Sequence, residues 1–170
     1  AGAMNLLASS NPDMDFISLH YGQSGKSLDY IEENSLKALF QHLKLLKNYA
    51  SQEGYKLDPV IEVAWIQGQG GASGDYSEAL SSHQDKLDAQ VKAIFGNEFS
   101  VNLYSTIVRG YGGKSVTRDQ FDTILEDDDV FLGSTEVVFN SQFPAGGWAM
   151  NPHLSGEGYY MMGTQIGSHI

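Results

Sequence analysis

The sequence predicts an α/β sandwich of three layers, α/β/α, built on a mostly parallel sheet. Three observations lead there. Short apolar runs of strand type alternate with segments of helical periodicity, and nearly every run ends in a glycine turn. A length of 170 residues, 41% of them hydrophobic and 11% aromatic, suffices for the core of a single domain spanning residues 1–170. In such sheets the crevice at the strands' carboxyl ends takes the ligand, so the turns after the strands are where chemistry is expected.

The first expected strand is Asp15 to Tyr21, carried by Phe16, Ile17, Leu19 and Tyr21 and stopped by Gly22-Gln23-Ser24-Gly25. A helix follows, with Leu36, Leu39, Phe40, Leu43 and Leu46 on one face, Asn34 as its cap and Gly54 as a left-handed stop. Val60 to Ile66 is a near-continuous apolar run, as a strand covered on both faces reads. Beyond its glycines, Asp75-Tyr76-Ser77-Glu78 has the pattern of a capping box, opening a helix with Leu80, Leu87, Val91 and Ile94 inward and Gly96 at its end. Val101 to Val108 is a strand, Arg109 to Lys114 a loop, and Thr117 to Leu125 a short helix. Val130 to Leu132 and Thr135 to Phe139 are short strands. Ser141 to Pro152 is a Gly- and Pro-bearing loop, and Ser155 to Gly167 a closing helix.

Composition removes several functions. Ten Lys and Arg against 21 Asp and Glu give a net charge of −11, which repels phosphate backbones and argues against a nucleic-acid partner. Without cysteine there is no disulfide, thiol nucleophile or cysteine-bound zinc. No apolar stretch approaches the ~20 residues of a membrane span, and the first residues lack the basic and apolar regions of a signal peptide. The histidines have no spacing that suggests a metal, and Glu126-Asp127-Asp128-Asp129 lacks the alternation of a calcium loop and reads as a solvated turn. Gly25-Lys26-Ser27 is not a phosphate loop, because His20 stands where its first glycine belongs. No cofactor and no metal are expected.

Four places remain. Gly22 to Ser27 offers backbone N–H groups to an anion or oxyanion, and Ser24 within it is either a nucleophile or a simple turn residue. Gln67 puts an amide at the end of a buried strand, which implies a buried partner or a ligand. His153 precedes the last helix, a loop position from which an imidazole reaches a cleft. Gly110-Tyr111-Gly112-Gly113 and Tyr159-Tyr160 suit the apolar faces of sugar rings, or else belong to core or surface.

Taken in order, Gly22-Gln23-Ser24-Gly25-Lys26-Ser27-Leu28, Trp65-Ile66-Gln67-Gly68 with Tyr76 and Leu80, and His153-Leu154-Ser155 with Gly158, Tyr159 and Gly163 form a set. This set resembles the SGNH/GDSL-type esterases of the sialate O-acetylesterase branch, in particular the esterase domains of bacteriophage tail spikes and bacterial carbohydrate esterases. The resemblance runs from about Leu6 to the end, and its most specific parts are the Trp65–Gly68 and His153–Gly163 blocks. It implies hydrolysis of O-acetyl esters on a surface polysaccharide or a sialic acid-like sugar. His153 would be the base, and Gly25 or Gly22, with Gln67 and Gly68, would supply the oxyanion hole. It also implies an acetylated carbohydrate as partner and an extracellular or virion-surface location.

Three departures accompany it. The Gly-x-Ser nucleophile block has no counterpart ahead of Gly22, so the nucleophile is expected from outside the chain unless Ser24 replaces it. Gly68 is followed by Gln69-Gly70-Gly71 instead of the acidic continuation, and Met150 stands where an acidic residue would orient the imidazole. The absent block would also carry an N-terminal central strand. Another chain, such as a second copy in a homo-oligomer, or an upstream segment would then complete the sheet, with residues 1–170 forming the C-terminal part of a larger domain; otherwise the flanking strands pair directly. The other reading of the departures is a non-catalytic domain that binds carbohydrate or holds a phage tail spike or cell-surface assembly together.

Overall fold

The computed structural model describes residues 2–23, 25–66, 75–107, 115–135 and 156–170. Along them run α1 (Gly2–Ser10), α2 (Leu28–Asn34), α3 (Leu36–Glu53), β1 (Val60–Trp65), α4 (Tyr76–Phe95), β2 (Ser100–Ile107), α5 (Ser115–Glu126), β3 (Val130–Thr135) and α6 (Gly156–Gly167). The three strands form one parallel sheet in the order β1-β2-β3. The chain is an α/β fold, and its layers suit a three-layer sandwich.

The register sorts the side chains. Val63, Leu103 and Val130 are neighbours across the sheet, and they join Leu39 and Leu43 of α3 and Leu80, Leu87 and Val91 of α4 in the main core. On the opposite face the row is Ala64, Tyr104 and Phe131, where Tyr104 packs with Met162 and Ile166 of α6. Helix α1 lies behind α6. Gly163 and Gly167, one turn apart, permit that crossing: a methyl group on Gly167 would fall 2.8 Å from the Cα of Ala3.

Local chemistry explains the boundaries. Asp75 caps α4 by accepting from the Ser77 N–H at 2.8 Å, and Gly54 closes α3 in the left-handed region at φ 76°. The acidic run becomes a tight turn into β3, with Asp127 accepting from the N–H of Asp129 at 3.1 Å. Gly133 lies at a register shift, where a Cβ would come within 3.0 Å of Tyr104. The strand expected at Val130 to Leu132 runs on to Thr135, and of the strand expected at Thr135 to Phe139, residues 136–139 lie outside the described residues.

Three expectations are corrected. Asp15 to Tyr21 forms no strand: Ile17 is 60% exposed, and of the four apolar residues only Tyr21 packs into the main core. The segment joins α1, behind one face of the sheet, to α2 on the other, and has no neighbouring strand to supply a ladder. The direct pairing of a strand ending at Gly22 with β1 is therefore not formed. Second, β1 is not covered on both faces. It is the edge strand among the described residues, with Val60 to Val63 half-buried and Ala64 exposed. Third, Asn34 ends a separate helix instead of capping α3; α2 starts at Ser27, whose hydroxyl accepts from the Tyr30 N–H at 3.3 Å.

Candidate functional site

Because the strands are parallel, residues 67–74, 108–114 and 136–155 all follow strand ends on the same side of the sheet. Of the residues singled out from the sequence, Gly22 and Gly25 are described, as are Tyr159 and Tyr160, all four exposed; Gly25 is the one with a special backbone. It stands exposed in the left-handed region at φ 69°, with open space where a side chain would be, two residues before the cap of α2. Ser24, Gln67, Gly68 and His153 lie outside the described residues.

What frames them is described. Trp65, the last residue of β1, is buried and donates its indole N–H to the Tyr76 hydroxyl at 3.2 Å. These two residues flank 66–75, so the bond ties together the two ends of the stretch that carries Gln67 and Gly68. Burial raises the Tyr76 phenol well above its usual value, which keeps it neutral. On the neighbouring strand, Gln120 of α5 donates to the Thr106 carbonyl at 3.0 Å, and Gln84 of α4 donates to the Val101 carbonyl at 2.9 Å. Both amides fasten helices to the central strand from within the core.

Below Trp65 lies a polar cluster that sequence reasoning missed. The fully buried His83 ring packs against the indole at 4.5 Å between centroids, and its Nδ1 is 3.1 Å from Glu32 Oε1. A carboxylate only accepts, so Nδ1 carries the proton, and in the neutral ring Nε2 is a bare acceptor, buried without a partner among the described residues. Lys86 pairs with the other Glu32 oxygen. Tyr21 leans on Trp65 at 6.4 Å, its hydroxyl likewise buried and unpartnered, and burial pushes its phenol far up. Glu32 and His83 are 51 residues apart, so no local spacing could have joined them; the signal was the pair Leu28 and Ile31, whose helical spacing turns Glu32 toward α4.

The His83 hydrogen bond and, after it, the Lys86 ammonium hold the Glu32 carboxyl below the ordinary carboxylate range, against the opposing effect of burial. A lowered folded-state pKa stabilises the fold fully above the unfolded value of about 4.3, and this contribution is lost as pH falls through the folded value. Acidification from neutral pH to about 3 is therefore expected to lower the urea midpoint less in Glu32→Gln than in the parent chain. Equal losses in the two proteins would show that the pair does not contribute to the acid limb.

No protein-family model, curated protein or solved structure matches the chain. The reading of the site therefore stands on its own residues. At the carboxyl ends of β2 and β3, Ser105, Thr106 and Ser134 are buried with hydroxyls that have no partner among the described residues. Across the sheet, Glu62 has one oxygen 3.5 Å from the Asn102 amide, and burial raises its carboxyl against the hydrogen bonds of Asn102 and Tyr104. Among the described residues no cluster of His, Asp and Glu could hold a metal ion, and no helix is long and apolar enough to cross a membrane.

Proposed function

We propose that this chain is part of a carbohydrate esterase module that hydrolyses O-acetyl esters on a surface polysaccharide. The observation that carries the reading is the parallel sheet itself. β1 and β3 end on the same side of the sheet, the side on which such sheets gather a site, and Gln67-Gly68 and His153 come after them in the sequence. In this reading Gln67, with the Gly68 and Gly25 N–H groups, receives the developing oxyanion, and the neutral His153 imidazole takes the proton of the attacking hydroxyl. In the same reading the attacking hydroxyl is delivered from outside residues 1–170, by an upstream Gly-x-Ser segment or by another chain, and Ser24 is assigned to the oxyanion side.

The test is hydrolysis of p-nitrophenyl acetate by the 170-residue chain, alone and with the upstream segment fused or added in trans. Background rates for the chain alone and turnover with the segment present are expected. Activity of the chain alone, with an organophosphate attached to Ser24, would move the nucleophile to Ser24. No activity in either form, together with retained binding of an acetylated polysaccharide, would favour a non-catalytic carbohydrate-binding domain.

A further inference from the structure

One layer of the sandwich runs α3, α4, α5, so that α3 and α5 form its two flanks. Each flank exposes an apolar pair four residues apart on its helix: Leu45 (65% exposed) with Tyr49 (52%) on α3, and Phe121 (46%) with Leu125 (79%) on α5. Residues this apolar seldom stand together in water on a helix that has no partner. Their surroundings carry opposite charge. In a chain of net charge −11, the stretch from Leu36 to Lys56 holds four of the ten basic residues, Lys37, Lys44, Lys47 and Lys56, against Glu53 alone. Among the described residues Lys37, Lys44 and Lys56 make no ion pair. From Ser115 to Asp129 there is one arginine against six carboxylates, ending in the exposed turn after Leu125.

We infer that the α3 flank of one copy of this chain docks on the α5 flank of another, Leu45 and Tyr49 against Phe121 and Leu125, with the lysines facing the acidic turn. The contact is head-to-tail: each copy offers two different surfaces, and the helical layer continues from one molecule into the next. Opposite charge at the two flanks also disfavours the alternatives, because α3 against α3 or α5 against α5 would oppose like charges. The Tyr49 ring already stacks on Tyr55 at 6.1 Å between centroids, which makes a firm aromatic surface for the incoming leucine.

Sedimentation velocity on the full chain tests this. Association is expected at ~10–100 μM in low salt and should weaken as salt is raised. Leu45→Glu and Leu125→Lys, each at an exposed position, should both sediment as monomers with unchanged near-ultraviolet circular dichroism. Mixed together, they should form a one-to-one dimer, because one variant keeps an intact α5 flank and the other an intact α3 flank. Should either variant lose its fold, Lys44→Glu and Asp128→Lys replace it, with the same result expected. A monomer at every concentration, association that survives in either single variant (as pairing through the free edge of β1 would), or a mixture that stays monomeric would each overturn the inference. So would binding of heparin to α3 by a chain that remains monomeric.

Discussion

Leu103→Ala is expected to remove ~2–5 kcal/mol from the unfolding free energy, toward the upper part of that range. Leu103 is fully buried in the central strand, between Val63 and Val130 and beneath α4. The cavity left by its side chain has walls on three strands held by ladder hydrogen bonds, so it cannot collapse as a surface site would. Against a typical total of ~5–15 kcal/mol, this one substitution consumes a large fraction of the stability. Ile17→Ala supplies the contrast. With 60% of Ile17 exposed in a segment without a ladder, the loss should stay within about 0.5 kcal/mol. Urea unfolding of both variants decides the matter: equal losses would mean that Asp15 to Tyr21 is a buried strand after all.

The elements legible in the sequence are those whose signal is local and redundant. For α4, periodic apolar residues, Asp75 at the cap and Gly96 at the end all agree, and the helix runs from Tyr76 to Phe95 between them. Gly54 marked the end of α3 for a backbone reason that holds in any context. Two kinds of information were not local. An apolar run does not say whether a neighbour exists to bond it, which is why Val60 to Trp65 entered the sheet at its edge while Phe16, Ile17, Leu19 and Tyr21 entered none. The meeting of Glu32 with His83 depends on how α2 lies on α4, so it became visible only with the tertiary structure. Helix α2 carries a local start signal in Ser27, whose hydroxyl caps it, and Asn34 lies at its end. The parallel sheet itself was legible from the alternation of strands and helices, and Trp65 and Tyr76 join the two ends of the stretch that carries Gln67 and Gly68, whereas the proposed site residues Ser24, Gln67, Gly68 and His153 lie outside the described residues.

Under the proposed esterase reading, the largest effects are expected on the rate, measured with the proposed nucleophile segment supplied. His153→Ala should lower kcat by ~10²–10⁴-fold, since a base that accepts the serine proton in the transition state supplies about that much. Gln67→Ala removes an oxyanion donor, and its cost should be ~10²–10³-fold, again in kcat with KM little changed, because the bond tightens only as charge develops on the oxygen. The parent's rate should rise with pH as the imidazolium gives up its proton and level off above that range, because only the neutral ring accepts a proton. In Gln67→Ala that profile should persist at the lower level; in His153→Ala it should disappear. In the esterase pattern that the sequence resembles, the position of Met150 carries the carboxylate that orients the imidazole, so under that reading Met150→Asp is expected to raise kcat and move the rise to higher pH, the imidazolium being stabilised by the added charge. If His153→Ala keeps both rate and pH profile, the base lies elsewhere and the assignment of His153 fails, whatever the fate of Gln67.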